Sequence, residues 1–313
     1  MSTLPSENAS STAGEPTRRD VLAAGVATGV VVAGAAALGA AGVLAQADAE
    51  DAAPAVARMP SGYIGHGSPM MAVRAAEAAP WRAWGQALPK PVAFLVVSAH
   101  FERAPLTLGA TRTVPLVYDF GGFPKELYQL QYAAPGAPRL AARVEKLLEH
   151  LGDVRRDERR GHDHGTWVPM RWLRPQADVP VLSLSLPTHD PQRLFQIGRA
   201  LRPLRDEGVF ILGSGSLTHN LRRMAPDENA APFGWAAAFD AWADDVIARG
   251  DVDALLDWQR KAPDARTNHP TVEHFIPLIL AMGTRHDNDR VRVTDKGFEH
   301  GGLSRRSFAF ETV

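Results

Sequence analysis

The sequence contains no cysteine, and this absence limits the chemistry open to the chain. Disulfide bonds, thiolate ligands and cysteine nucleophiles are excluded together, so any bound metal must be held by His, Asp or Glu. The chain also lacks an excess of charge, because its net charge is -1 and its pI is about 6.8. Nucleic-acid phosphates require a basic surface, so this balance argues against nucleic acid as a partner.

Several catalytic motifs are missing as well. The sequence contains no His-Glu-x-x-His, which argues against a zinc metalloprotease, and no Walker loop. Residues 213–216 (Gly-Ser-Gly-Ser) resemble the Gly-x-Ser-x-Gly elbow of serine hydrolases in composition, but the fifth glycine is missing. A metal- or serine-dependent hydrolase is therefore a weak alternative.

The N-terminal segment differs in composition from the rest of the chain. Paired arginines at 18–19 precede an uncharged, Ala/Gly/Val-rich stretch over 23–45, and Ala-Gln-Ala follows at 45–47. These features are typical of a twin-arginine export signal with a small-x-small cleavage site. We therefore predict a signal peptide over 1–47, a linker over 48–57, and a periplasmic protein that meets the membrane only during export.

An uncleaved N-terminal membrane anchor is the alternative to a cleaved signal. The uncharged stretch over 23–45 approaches the roughly 20 apolar residues that a bilayer-spanning helix needs. Its richness in alanine and glycine favours cleavage. No later stretch of the sequence is apolar enough to span a membrane.

The remaining chain alternates short β-branched runs with helical patterns. This alternation predicts a single three-layer α/β/α domain over 58–313 with a central mixed, largely parallel sheet. Residues 92–98 and 209–213 are apolar on both faces, as expected for central strands that are covered by helices. Residues 305–312 predict a closing strand. A helix is predicted to begin after Pro270.

Four histidines lie where such a fold presents functional groups. His66 follows Gly65 in a glycine-rich loop, His100 ends the first central strand, and His219 follows the turn after the second. His274 lies in the first turn of the helix that is predicted to begin after Pro270, with Thr271 as its N-cap. Several converging imidazoles are typical of zinc and of non-haem iron centres. A single histidine, by contrast, is more often an ordinary surface or core residue.

Ordered motifs from residue 59 to the end of the chain resemble the class III extradiol dioxygenases of the 4,5-DOPA dioxygenase type. These motifs are residues 65–69 (Gly-His-Gly-Ser-Pro), 97–100 (Val-Ser-Ala-His), 119–124 (Asp-Phe-Gly-Gly-Phe-Pro), 132–136 (Tyr-Ala-Ala-Pro-Gly), 163–165 (Asp-His-Gly), 219–221 (His-Asn-Leu) and 270–274 (Pro-Thr-Val-Glu-His). The resemblance implies an extradiol dioxygenase that inserts O2 into a catechol, DOPA-like or related, at a non-haem metal centre. Its partners would be a small aromatic diol and O2.

The resemblance also implies roles for individual histidines. His66, His100 and His274 would hold one divalent metal, Fe(II) for activity, although Zn2+ could occupy the same site. His219 would serve as the acid/base, with a pKa near neutrality, and is sometimes counted as a fourth ligand. His164 would contact the substrate or the bound oxygen and take part in catalysis.

Two of these assignments have alternatives in the sequence. Glu273 adjoins His274 and could replace it as a ligand, because related enzymes use two histidines and one carboxylate. We favour His274. The aromatic candidates for the substrate pocket are Tyr118, Phe123 and Tyr128, and the alternative is that they are ordinary core residues.

A different function is also compatible with the histidines. Four imidazoles would satisfy a tetrahedral zinc ion completely. A zinc-binding protein with the same fold and without ring-cleavage activity is therefore the main alternative.

Overall fold

The apolar runs of the sequence form one large sheet in the computed structural model, which describes residues 58–312. The predicted signal peptide and linker lie outside the described residues. The strands are β1 (Ser61–Gly65), β2 (Ala93–Glu102), β3 (Thr107–Leu108), β4 (Arg155–Arg156), β5 (Val181–Leu186), β6 (Val209–Gly215), β7 (Asp289–Asp295), β8 (Phe298–Glu299), β9 (Leu303–Ser304) and β10 (Ser307–Thr312).

Eight strands form the main sheet in the order β4-β3-β5-β2-β6-β1-β10-β7. The four central strands β5, β2, β6 and β1 are parallel to one another, whereas β10 is antiparallel to both β1 and β7. The remaining two strands, β8 and β9, pair as a separate antiparallel hairpin. The predicted mixed, largely parallel sheet is therefore confirmed.

Helices cover the two faces of the sheet. They are α1 (Ala79–Ala87), α2 (Pro138–Leu148), α3 (His164–Leu173), α4 (Pro191–Leu201), α5 (Gly234–Arg249), α6 (Val252–Leu256), α7 (Trp258–Lys261), α8 (Ala265–Asn268) and α9 (Ile276–Gly283). Short 3₁₀ helices lie at Pro69–Ala72, Lys125–Gln129, Glu149–Leu151, Arg202–Arg205 and Leu221–Arg223.

Alternate side chains of β2 enter two separate hydrophobic cores, because successive residues of a strand face opposite sides of a sheet. Phe94 and Val96 pack in the core that contains Trp81 of α1. Leu95 and Val97 pack in the other core, which also contains side chains of α2, α4, α5 and α9. This division produces the predicted three α/β/α layers. Within residues 58–312, no helix has both the length and the apolar character needed to span a bilayer.

The helix predicted after Pro270 begins later than expected. It is α9, which starts at Ile276, with Phe275 as its N-cap residue and Pro277 in its first turn. Proline is well suited to this position because the first turn leaves backbone N–H groups without helical partners. The Thr271 hydroxyl donates a hydrogen bond to the Glu273 carboxylate rather than capping a helix, and His274 precedes the helix.

Candidate metal centre

Three adjacent parallel strands carry histidines to the same edge of the sheet. His66 directly follows β1, His100 lies near the end of β2, and His219 lies four residues after β6. In parallel strands the carboxyl ends meet at one edge, where open α/β sheets commonly bind ligands. His164 begins α3, and the backbone carbonyl of His274 accepts a hydrogen bond from Ser216 N (2.9 Å) just past β6.

The five imidazoles form one cluster. The Nε2 atoms of His66 and His100 are 3.2 Å apart. The ring centre of His274 lies 4.9 Å from that of His100 and 5.5 Å from that of His66, and the His164 ring centre lies 3.9 Å from that of His100. His219 stacks on His274 with ring centres 3.4 Å apart and ring planes 8° from parallel.

The Nδ1 atoms of four of these rings lie close to oxygen atoms outside the cluster, and that of His164 is 3.0 Å from Asp119 Oδ1. His66 Nδ1 lies 2.9 Å from the Ser214 hydroxyl, His100 Nδ1 lies 3.3 Å from Asp119 Oδ2, and His274 Nδ1 lies 2.9 Å from Glu273 Oε1. Such outer partners orient metal-binding histidines and leave Nε2 to face the ion. Two nitrogens that bind one ion at about 2.1 Å lie about 3.0–3.4 Å apart, which matches the 3.2 Å between His66 and His100. The residues therefore fit a divalent metal.

The donors fall into two groups of three residues. His66, His100 and His164 place one donor atom each within 4.8 Å of one another, and so do His219, Glu273 and His274. The structure thus brings together all of the predicted ligands, but His66 and His100 are grouped with His164 rather than with His274. The choice of the third ligand remains a prediction.

Burial keeps the imidazoles of His66, His100, His219 and His274 neutral. Burial and the neighbouring imidazoles lower the pKa of His66 and of His274 well below the usual value. Burial likewise lowers the pKa of His100 to about 3 and that of His219 to about 4. The pKa of His219 is thus lower than the near-neutral value expected from the sequence. A neutral imidazole keeps the lone pair that binds a metal or accepts a proton.

Asp119 joins two of the histidines and was assigned no role from the sequence. Its two carboxylate oxygens lie 3.3 Å from His100 Nδ1 and 3.0 Å from His164 Nδ1, and Oδ1 also accepts a hydrogen bond from His164 N at 2.9 Å. Burial raises the pKa of Asp119, but its interactions with His164 and His100 outweigh this effect and bring the pKa to about 2. Asp119 is therefore an anion that positions both rings. The only sequence signal for it was its place in the 119–124 motif.

Two glycines permit the close packing around the histidines. Gly67 has a φ of +61°, and the following Ser68 N donates a 3.1 Å hydrogen bond to the buried Glu299 carboxylate. Glycine adopts this left-handed conformation without steric cost. At Gly165, a Cβ atom would lie 2.4 Å from Ser98 Oγ, 3.0 Å from a carbon of the His100 ring and 3.2 Å from a carbon of the His66 ring.

The histidines open into a cavity of about 570 Å³, which is large enough for a small aromatic ligand. Phe123, one of the three predicted aromatic residues, lines it together with Phe120, Leu221 and Met224. Tyr118 and Tyr128 do not line it.

The two tyrosines pack behind the cavity wall instead. The rings of both contact Phe120, and the Tyr118 hydroxyl donates to the backbone carbonyl of Leu130 at 2.6 Å. The structure therefore corrects their assignment to the cavity wall, because their side chains support Phe120 from behind. Phe120, which was not among the residues predicted from the sequence, lines the cavity instead.

Comparisons with known proteins give a consistent result. Residues 64–311 match the family described as the catalytic LigB subunit of aromatic ring-opening dioxygenase. A 4,5-DOPA dioxygenase extradiol from Beta vulgaris is 40% identical over 259 residues, which cover 80% of this chain and 96% of that protein. A protein of the same name from Escherichia coli is 35% identical over 260 residues, which cover 79% of this chain and 93% of that protein. A crystal structure of an uncharacterized protein from Escherichia coli K12 has a TM-score of 0.69 and 30% identity, and the match covers 81% of this chain and 100% of that chain.

Proposed function

Since the chain belongs to the LigB family of aromatic ring-opening dioxygenases, we propose that it cleaves a DOPA-like catechol at a divalent metal held by His66, His100 and His274. Extradiol ring cleavage is the activity of the family, and the match over most of the chain favours it over a zinc-binding protein without this activity. The resemblance seen in the sequence motifs is confirmed. The specific substrate, the ligand set and the identity of the metal are the parts that we propose.

One observation carries the ligand proposal. His66, His100 and His274 each have Nδ1 beside an oxygen of a different residue, namely Ser214, Asp119 and Glu273, whereas His164 shares Asp119 with His100. The contact of Glu273 with His274 supports a positioning role for this carboxylate, with His274 rather than Glu273 as the ligand. Adjacent residues rarely both reach one ion, and a carboxylate that holds Nδ1 strengthens the imidazole as a ligand.

We propose Fe(II) as the active metal, although Zn2+ fits the same donors. When bound, the ion supplies Lewis-acid binding of the catechol oxygens and, as Fe(II), the redox chemistry that O2 requires. The cavity beside the histidines supports this choice, because a catalytic site must leave room for substrate whereas a structural zinc site is closed.

His219 is the proposed proton carrier. Its burial leaves the ring neutral at pH 7, so that a ring nitrogen can accept a proton from a catechol hydroxyl. The nearby Glu273 charge raises the pKa of His219 against the larger effect of burial, and so stabilises the protonated ring once it forms. The neutral His274 ring stacked on it adds no competing charge.

His164 has a separate proposed role on the other side of the cluster. Its Nδ1 lies 3.0 Å from Asp119 Oδ1, which favours a proton on Nδ1 and a lone pair on Nε2. His164 lines the cavity, and its Nε2 would accept a hydrogen bond from the second catechol hydroxyl. The two histidines thus receive the two hydroxyl groups of one substrate.

Anaerobic loading with Fe(II) tests the activity directly. The loaded protein is mixed with DOPA and with unsubstituted catechol, and O2 uptake and the yellow ring-opened product are recorded. We expect turnover that His219→Ala reduces by about 10²–10⁴-fold, while His150→Ala, an exposed position, retains the parent rate. Absence of turnover on every catechol would refute the proposal.

Metal content separates the candidate ligands. His66→Ala, His100→Ala and His274→Ala are expected to lose stoichiometric metal, whereas His164→Ala should retain it and lose activity. If His274→Ala retained the metal and His164→Ala lost it, His164 rather than His274 would be the third ligand.

We also propose export through the twin-arginine route, on the evidence of the paired arginines and the Ala-Gln-Ala at 45–47. Replacement of both arginines by lysine should leave the full-length protein in the cytoplasm. The parent should be recovered outside the cytoplasm with a mass that corresponds to cleavage after residue 47. Recovery of uncleaved parent in the membrane fraction would favour the N-terminal anchor.

A further inference from the structure

The charges that face the cavity are all of one sign. Asp119 and Glu273 line it, with side chains that are 20% and 19% exposed. Among the residues of 58–312 that line this cavity, none is a lysine or an arginine. Apart from the metal ion itself, no cationic side chain in this lining is therefore available to pair with a negatively charged group of the substrate.

Three arginines that lie near lining residues in sequence are directed elsewhere. Arg160 donates to the His100 carbonyl at 2.9 Å and to the Asp163 carboxylate at 3.0 Å, and its guanidinium lies over the Phe101 ring. Arg222 and Arg223 follow the lining residue Leu221 but are exposed and do not line the cavity.

The outer part of the cavity is apolar. Phe120, Phe123 and Met224 contribute its walls, and Leu221, which is 60% exposed, marks its solvent side. A ring substituent in this region would contact apolar side chains. A carboxylate on it would have no lining cation to pair with. Placing an anion there removes it from water without a compensating ion pair, which is costly.

The charge balance of the loaded site leads to the same conclusion. The two carboxylates offset the charge of a divalent ion, and the catechol adds negative charge as its hydroxyl groups lose protons. A further negative charge on the substituent would then be repelled, whereas an ammonium group would be attracted.

We propose that this site selects catechols whose ring substituent is uncharged or cationic and discriminates against those whose substituent is a carboxylate. The inference rests on the proposed catechol-cleaving function and narrows its substrate class. A substituent with both an ammonium and a carboxylate group, as in DOPA, is expected to rank between the two extremes. Like charges about 8 Å apart in a medium of effective dielectric constant about 20 change an affinity by about ten- to thirtyfold.

Three catechols of matched size test this selection. They carry 2-aminoethyl, 2-hydroxyethyl or 2-carboxyethyl at ring position 4, and unsubstituted catechol is the reference. The Fe(II)-loaded full chain is expected to show a kcat/KM about tenfold or more lower for the carboxylate than for the alcohol, and at least equal for the amine. Anaerobic binding measured by calorimetry should give the same order of Kd, independently of turnover.

Two variants assign the discrimination to cavity charge. Leu221→Lys adds a cation on the solvent side and should raise the carboxylate-to-alcohol ratio of kcat/KM about tenfold, whereas the matched neutral variant Leu221→Gln should leave that ratio unchanged. Glu273→Gln removes one carboxylate and should also raise the carboxylate-to-alcohol ratio of kcat/KM. It should lower the turnover of every substrate as well, because it disturbs His274. A purely structural effect would lower every rate by a common factor.

The outcomes separate the two proposals. Failure to turn over any of the four catechols refutes the proposed function itself. Turnover with a kcat/KM for the carboxylate compound equal to or higher than that for the alcohol overturns the charge selection and leaves the ring-cleaving function intact. A carboxylate preference that Arg222→Gln abolishes would identify the exposed arginine as the overlooked partner. An unchanged ratio in Leu221→Lys would also count against selection by cavity charge.

Discussion

Replacing Gly165 with alanine is expected to loosen the metal centre without removing any ligand. The new Cβ would lie 2.4 Å from Ser98 Oγ, 3.0 Å from the His100 ring and 3.2 Å from the His66 ring. Ser98 cannot move aside freely, because its hydroxyl donates to Asp163 at 2.7 Å and accepts from His100 N at 3.1 Å. Relief of the contact must therefore displace the two histidines or break these hydrogen bonds.

The expected change in stability of Gly165→Ala is the sum of two opposing contributions. Gly165 is the second residue of α3, and even in an unhindered helix interior glycine to alanine stabilises a protein by no more than about 1 kcal/mol. Overpacking of a buried site costs about 1–3 kcal/mol, so the net change should be destabilising by up to about 2 kcal/mol. Displacement of groups that orient metal ligands typically lowers metal affinity about 10–100-fold.

Urea unfolding of the metal-free protein measures the change in stability. Titration with Fe(II) or Zn2+ measures the change in metal affinity. Gly234→Ala is the matched control, because Gly234 begins α5 and its Cβ would meet nothing within 4 Å. The control should keep the parent metal affinity and lose no stability. Parent-like stability together with parent-like metal affinity in Gly165→Ala would refute the reasoning.

Three further predictions concern residues outside the metal ligands. Asp119→Ala should weaken metal binding about 10–100-fold while the far-ultraviolet circular dichroism is unchanged, and parent affinity would contradict its positioning role. Arg205→Met leaves the buried Asp289 unpaired and should cost about 3–5 kcal/mol in urea unfolding, whereas Arg205→Met combined with Asp289→Leu should recover part of that loss. Burial lowers the pKa of His269 to about 3, so its contribution to stability is complete above about pH 6.5 and is lost as the pH falls towards 3. His269→Gln should therefore reduce the slope of unfolding free energy against pH between pH 4 and 6 by up to about 1.4 kcal/mol per unit, and an unchanged slope would contradict this assignment.

The buried arginine in these predictions joins parts of the chain that are distant in sequence. Arg205 donates hydrogen bonds to the backbone carbonyls of Met59, Thr284 and Phe310 and forms a buried ion pair with Asp289. Burial raises the pKa of Asp289, but the hydrogen bonds from Arg205 and from the backbone N–H of His286 outweigh this and hold the pKa below its usual value. Both partners are therefore charged in the folded protein, which is why removal of one is expected to be costly.

The sequence predicted the sheet and the histidine cluster well because both depend on local patterns. Apolar runs identify β2 and β6, and His100 and His219 lie at or just beyond their carboxyl ends. Parallel pairing then brings these residues together without further information. The start of α9 was misplaced because Thr271 resembles an N-cap, whereas Pro277 sets the actual first turn.

The residues that line the cavity could not be predicted from the sequence in the same way. Asp119 and Phe120 lie in a segment without regular structure, so no periodicity indicates where their side chains point. Their positions depend on contacts with His164 and Tyr118, which are specified only by the folded chain. For the same reason Tyr118 and Tyr128 were indistinguishable in sequence from residues that face a ligand.

The pairing register of the central strands has a practical consequence for following the folding of this protein. Ser214 of β6 pairs with both Ile64 of β1 and Ser98 of β2, and this alignment sets His66 beside His100. A shift of one residue in either pairing would turn the side chains to the opposite face of the sheet. Uptake of one metal ion per chain would therefore measure the fraction of molecules with correctly aligned strands, which circular dichroism cannot distinguish from molecules whose strands have slipped.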